Sequence, residues 1–211
     1  MESIGVHRLT NHNLMDGIDD LMVGLQADIA LIDPPWGEGN EKYWHTALAK
    51  VDPKTNIIRP PHNEFLDQFF YLLKQWTKPD AFIFVEYGVR WREEIVRRGE
   101  ISGLHSLSIV EAKYKASSKL LPYDMHIFGH SKKVLSPKML NELSGRQGFE
   151  VARAAMREIS SSGQVMLDLC SGLGGFAKVA HEFGLRYFGN EMNPSRYART
   201  EKVLRRYENI Q

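Results

Sequence analysis

Short apolar runs alternate with longer segments of helical period along most of the chain. Asp28-Ile-Ala-Leu-Ile-Asp33 stops at Pro34-Pro35, and Gln164-Val-Met-Leu-Asp168 stops before glycines at 172, 174 and 175. Ala81-Phe-Ile-Phe-Val-Glu86 is a third such run and Tyr187-Phe-Gly-Asn-Glu191 a weaker fourth. Continuous apolar runs of this length predict buried strands of a parallel sheet. Between them, Glu64 to Trp76 puts Phe65, Phe69, Leu72, Leu73 and Trp76 on one stripe, and Phe149–Ile159 and Pro194–Tyr207 have similar spacing; all three predict helices. Leu104–Lys115 and Tyr123–Gly129 read as two more strands joined by residues 116–122, the one around His126 being the candidate antiparallel element. Strands alternating with helices predict a doubly wound α/β sheet.

Two segments lack a period. Gly37–Pro61 is long for a connection inside a compact domain, which marks it as a functional or mobile insertion over about 37–62. Ser131–Gly148 is shorter and mildly basic. The expected organisation is a single domain over 1–211, since 211 residues suffice for one core.

The composition is that of an ordinary globular protein, 43% hydrophobic and 25% charged. The formal net charge is only +1, so whole-chain charge says nothing of a polyanionic partner. One cysteine, Cys170, excludes an internal disulfide and fits a reducing compartment. The first residues resemble neither a signal nor a transit peptide, and no apolar run approaches the ~18 residues of a membrane span. A soluble, cytoplasmic protein is expected, with no membrane partner.

Two constellations carry chemistry, each at the carboxyl end of a predicted strand, where open α/β sheets bind ligands. The first is Asp33-Pro34-Pro35-Trp36. An aromatic amino group is a poor nucleophile because its lone pair is delocalised into the ring. An acceptor on each N–H would draw the nitrogen toward tetrahedral shape and free that pair. Asp33 supplies one acceptor, and a backbone carbonyl in a turn stiffened by prolines supplies the other. Trp36 offers a flat face for an extruded base. The second is Asp168-Leu-Cys170-Ser171-Gly172-Leu-Gly174-Gly175, followed by Glu191-Met-Asn-Pro194. A glycine turn lets a ligand approach the backbone, and an acidic residue about twenty positions on can hold ribose hydroxyls.

Together these residues resemble the amino-methyltransferases that act on DNA bases, in the permuted β order, where the catalytic turn precedes the cofactor turn. Residues 28–36 are similar to that family's catalytic strand and turn, residues 76–86 to the strand that follows, residues 168–174 to its cofactor turn, and residues 191–194 to its ribose-binding segment. The resemblance implies a Rossmann-like, circularly permuted fold whose seven-stranded, mostly parallel sheet has one antiparallel strand. It implies S-adenosylmethionine as cofactor, held by Asp168, Cys170, Ser171, Gly172, Gly174, Glu191 and Asn13. Catalysis falls to Asp33, Pro34, Pro35 and Trp36. Asp at position 33, where cytosine-N4 enzymes more often have Ser, implies adenine N6 in DNA. Asn13 stands where the family usually has Asp, and Arg146-Gln147-Gly148 where it often has a Lys-Pro pair. Its substantial target-recognition segment is reduced here to about 131–148, so sequence discrimination is expected either to be slight or to be supplied by the Gly37–Pro61 loop, by a second subunit in a homodimer or by a protein partner. The small size fits a prokaryotic or phage setting.

Trp36, Tyr43, Lys113 and Lys115 are the candidate substrate contacts, the lysines because they follow a strand near the active edge. Arg90, Arg92, Arg97 and Arg98 share a helix with Glu93 and Glu94, which favours a solvated, paired face. His45, His62, His126 and His130 lack metal-ligand spacing, and no metal is expected. Cys170 has no neighbouring base to activate it. Cytosine-N4 DNA methylation, adenine-N6 RNA methylation, glutamine methylation of protein and a catalytically silent nucleic-acid binder remain open alternatives.

Overall fold

A computed structural model describes residues 1–40, 42–43 and 60–208. Most of the expected 37–62 insertion, including Trp44 and His45, lies outside the described residues.

The apolar runs form the centre of one sheet. Its strands are β1 (Glu2–Ile4), β2 (His7–Thr10), β3 (Ala27–Ile32), β4 (Thr77–Tyr87), β5 (His105–Ala116), β6 (Lys119–Gly129), β7 (Val165–Asp168) and β8 (Arg186–Asn190). Across the sheet the order is β1-β2-β8-β7-β3-β4-β6-β5. Neighbours from β2 to β4 are parallel. β6 runs antiparallel between β4 and β5, as the strand around His126 was expected to.

The sheet has eight strands, not the seven expected. The additional one is β1, a second reversed strand, joined to β2 through Gly5 at φ +55°. Both strands of this hairpin are short and carry polar residues, so neither leaves an apolar run to read. β2 is held through its pairing with β8, more than 170 positions away. The connection expected over 116–122 is also shorter. β5 and β6 remain paired out to Ala116 and Lys119, so Ser117 and Ser118 alone make the turn, with Ser117 at φ +56°.

Helices cover the faces, among them α1 (Asp19–Met22), α2 (His62–Trp76), α3 (Arg92–Ile101), α4 (Pro137–Leu143), α5 (Phe149–Ile159), α6 (Gly175–Glu182) and α7 (Pro194–Glu208). Alternation along β3 divides the core into two layers. Ala30 and Ile32 pack with α1, α2 and α3, whereas Ile29 and Leu31 pack with α4 to α7. The stripe read on α2 buries Phe65, Phe69, Leu72 and Leu73 together with Leu66 and Phe70. Each such side chain contributes roughly 1.5–3 kcal/mol relative to an exposed one. The 131–148 segment contains α4, whose Met139 and Leu143 are buried in the core, so it is part of the packed layer and not a separate lobe. No helix among the described residues is long and apolar enough to cross a membrane.

Candidate active site

β3 ends where it does because Pro34 and Pro35 have no N–H to continue the ladder. The chain then turns over the sheet edge, and Asp33 opens into a cavity of about 710 Å³. That volume lies within the usual range of ligand pockets, about 300–1,000 Å³. Its walls come from the carboxyl ends of β3, β4, β7 and β8 and from the 13–14 and 148–149 segments.

The Asp33 carboxylate is oriented by its own turn: the Trp36 indole N–H donates to Oδ1 at 2.8 Å. Asp33 is open to the cavity, yet protein encloses it on every other side. That enclosure pushes its carboxyl up to about 6, against the opposing effects of the Trp36 N–H and the Arg196 guanidinium. Trp36 in turn stands among tyrosines, near-parallel to Tyr123 at 5.8 Å and edge-on to Tyr114 at 5.2 Å.

A buried tyrosine pins the rest of the turn. Tyr87, at the end of β4, receives the Gly37 N–H at 2.8 Å and donates to the Pro35 carbonyl at 3.1 Å. His62 Nε2 lies 3.0 Å from the same oxygen. With the hydroxyl proton given to Pro35, His62 Nε2 is placed to donate to the same oxygen. The Pro35 carbonyl is thus engaged, and no hydrogen bond to the Pro34 carbonyl is found among the described residues.

Across the strand pair from Asp33 stands Glu86. Ile32 is in register with Val85, so the next residues of β3 and β4 are neighbours, and both line the cavity. Tyr123 donates to Glu86 Oε1 at 3.1 Å. Burial holds the Glu86 carboxyl well above the usual range, and the nearby Asp33 charge adds to the effect.

The glycine turn makes the opposite wall. Gly172 sits at φ +56°, a conformation that costs other residues roughly 1–2 kcal/mol. Its N–H donates to Glu191 Oε2 at 2.8 Å, and the Asn193 N–H donates to Glu191 Oε1 at 2.8 Å. Glu191 is thereby fixed at the cavity wall, its carboxyl raised by burial in opposition to those donors. Asn193 Oδ1 also caps α7, accepting from the Ser195 and Arg196 N–H groups.

The cavity brings together Asn13, the Asp33–Trp36 turn, Cys170, Ser171, Gly172 and Glu191. Asn13 arrives there because β2 pairs with β8, and Asn190 ties the following residues down by bonding Thr10 and His12. Asp168 and Gly174 are not in the wall. Asp168 is fully buried, accepting from the Tyr187 hydroxyl and the Cys170 N–H, with its carboxyl pushed up to about 7 by burial. Gly174, at φ +78°, lets α6 lie against α7, where a Cβ would stand 3.2 Å from Thr200 Cα. Lys113, Lys115 and Tyr43 are exposed and also outside the wall. Arg146 pairs with Glu142 instead of reaching the cavity.

Sequence reasoning did not single out Tyr114, Tyr123, Phe149 or Arg196 as wall residues. Arg196 had a faint signal, lying in the first turn of the helix that follows Glu191. The two tyrosines had none, since their side depends on the β5–β6 register. On α3 the arginines are paired: Arg92 is bidentate to Asp124, and Arg98 bonds Glu94 and Asp67. Among the described residues, no group of His, Cys, Asp and Glu could hold a metal ion.

No family model matches the chain, and no curated protein matches it in sequence. Solved structures do match over nearly the whole length. M1.HpyAVI superposes with TM-score 0.64 at 14% identity, covering 93% of this chain and 98% of that one. TTHA0409 of Thermus thermophilus, in complex with S-adenosyl-L-methionine, gives 0.63 at 14%, covering 95% and 94%. The cytosine-N4-specific PvuII DNA methyltransferase gives 0.60 at 12%, covering 98% and 95%. At these identities the likeness is one of fold.

Proposed function

We propose that the chain is an S-adenosylmethionine-dependent methyltransferase acting on the exocyclic amino group of a nucleobase, N6 of adenine in DNA. The observation that carries this reading is the Asp33-Pro34-Pro35-Trp36 turn at the edge of a cavity whose opposite wall is a glycine turn closed by Glu191. Asp33 accepts one amino hydrogen and the Pro34 carbonyl the other, Pro35 being held by Tyr87. Trp36 has two duties: its N–H orients Asp33, and its ring forms part of the aromatic wall with Tyr114 and Tyr123.

The residues present fit the cofactor. A carboxylate fixed by two backbone N–H groups suits ribose hydroxyls, and the open backbone at Gly172 suits close approach of a ligand. Asn13, Cys170, Ser171, Gly172 and Glu191 would hold it, while Asp168 and Gly174 shape the turn from behind. When bound, S-adenosylmethionine supplies an electrophilic methyl on a sulfonium. The fold likeness to M1.HpyAVI and to TTHA0409 with its S-adenosyl-L-methionine supports the assignment, as does the order of the two turns along the chain, which is that of the permuted class.

Cytosine N4 is the second reading, supported by the fold likeness to the cytosine-N4-specific PvuII enzyme. Asp at position 33 favours adenine. The decisive experiment is transfer of labelled methyl to unmethylated DNA, RNA and protein, followed by nucleoside mass spectrometry. N6-methyladenine in DNA is expected, lowered at least about 100-fold in Asp33→Ala, the scale of losing one positioned hydrogen-bonding group. N4-methylcytosine would transfer the assignment to the second reading. Absence of transfer to any acceptor would remove the enzymatic one.

A further inference from the structure

An amino-bearing base edge has a second feature beside its amine. In adenine and in cytosine the ring nitrogen next to the amino carbon, N1 or N3, is an acceptor; in guanine and thymine the corresponding ring position is an N–H donor. A site that spends Asp33 and the Pro34 carbonyl on the amine therefore needs a donor beside them for this nitrogen. Most hydroxyl and indole donors around the turn are already committed: Trp36 to Asp33, Tyr87 to Pro35, and Tyr123 to Glu86. Glu86 is Asp33's neighbour across the β3–β4 pair and lines the same cavity. Tyr123 engages only its Oε1, and no hydrogen bond to Oε2 is found among the described residues.

Resting on the nucleobase reading above, we propose that Glu86 is a specificity residue that carries a proton and donates it in a hydrogen bond to the ring nitrogen beside the target amine. The ionised form would set a negative oxygen against the nitrogen lone pair. The neutral form matches adenine and cytosine and opposes the ring N–H of guanine or thymine.

The surroundings favour the neutral form. The charged groups facing Glu86 are Asp33 from the turn after β3 and Asp168 at the end of β7, both acidic, with the Tyr123 hydroxyl from β6 as the opposing donor. Arg196 of α7 acts on Asp33 instead. Glu86 is also the more enclosed carboxyl of the pair, half-buried where Asp33 is open to the cavity. Two adjacent carboxyls in unequal environments separate their protonation, so Asp33 ionises while Glu86 keeps its proton.

The test compares methyl transfer to oligonucleotides carrying adenine, 1-deazaadenine or 7-deazaadenine, for wild type, Glu86→Gln and Glu86→Ala, across pH. Wild type should lose about tenfold or more in kcat/KM on 1-deazaadenine but not on 7-deazaadenine, and Glu86→Ala should erase that preference. Wild-type activity should fall on the alkaline side as Glu86 ionises, and Glu86→Gln, whose amide N–H donates at any pH, should remove that fall. A merely structural role would leave the deaza preference intact in Glu86→Ala. Equal use of adenine and 1-deazaadenine by wild type, or an alkaline fall that persists in Glu86→Gln, would overturn the proposal. Carbon-13 observation of the Glu86 carboxyl gives a readout independent of catalysis. A proton retained at neutral pH, with a signal that responds to 9-methyladenine and not to its 1-deaza analogue, supports the inference even if no methyl is transferred and the parent reading fails. An ionised carboxyl, or no response, rejects it.

Discussion

Tyr87→Phe removes one oxygen and leaves the aromatic core untouched, so it isolates what the hydroxyl contributes to the Asp33–Gly37 turn. The ring is fully buried, and its oxygen joins the Gly37 N–H, the Pro35 carbonyl and His62 Nε2. Gly37 is buried, so its stranded N–H costs about 1–3 kcal/mol. Pro35 and His62 are half-buried and can turn to water, for about 0.5 kcal/mol each. The sum, about 2–4 kcal/mol, corresponds to a fall in Tm of roughly 5–15 °C for a chain of this size. Denaturant unfolding measures the stability, and methyl transfer measures the turn. With Pro35 released, the prolyl carbonyls are no longer sorted into one held and one offered, and kcat/KM should drop about tenfold or more. S-adenosylmethionine affinity should hold, because the Glu191 side of the cavity does not touch Tyr87. A variant that loses less than about 0.5 kcal/mol and transfers methyl at the wild-type rate would refute the idea that this hydroxyl organises the turn.

Three further outcomes follow from the geometry. On the proposed reading transfer needs ionised Asp33, whose carboxyl is raised to about 6, so kcat/KM should decline as pH falls through 6, approaching tenfold per unit below it; a flat profile down to about pH 5 would count against Asp33 as the acceptor. His126 is buried, with no hydrogen-bond partner for either ring nitrogen among the described residues, and burial pushes it down to about 4. The unfolded chain protonates it near 6.5, so stability present above 6.5 is lost as pH falls toward 4, about 3 kcal/mol in all, and thermal melts of His126→Phe should show a shallower loss over that window. Arg92→Ala leaves the fully buried Asp124 without its bidentate partner and should cost about 3–5 kcal/mol by denaturant unfolding, with little change if Asp124 is replaced as well by a residue that packs.

The sequence alone determined the central strands, the stripe of α2 and the two turns that contribute to the cavity wall, because each is written locally. Apolar runs ending at Pro34 or before Gly172 report burial and backbone constraint within a few residues. The same locality explains why β1 and β2 were invisible: their stability comes from β8, on the far side of the chain, and not from their own composition. It also explains why Asp168, Lys113 and Lys115 lie outside the cavity wall, since spacing places a residue near a strand end but not on the side of it that faces the cavity. Only the tertiary structure decided that Asn13 lines the same cavity as the glycine turn, through the β2–β8 pairing. The β3–β4 register set Glu86 beside Asp33, and the β4–β6 pairing brought Tyr123 to Glu86. The choice between the two prolyl carbonyls belongs to the structure too, because Tyr87, some fifty positions on, engages one of them. Those are relations between distant segments, fixed by packing and hydrogen bonding in three dimensions, and no local pattern in the chain encodes them.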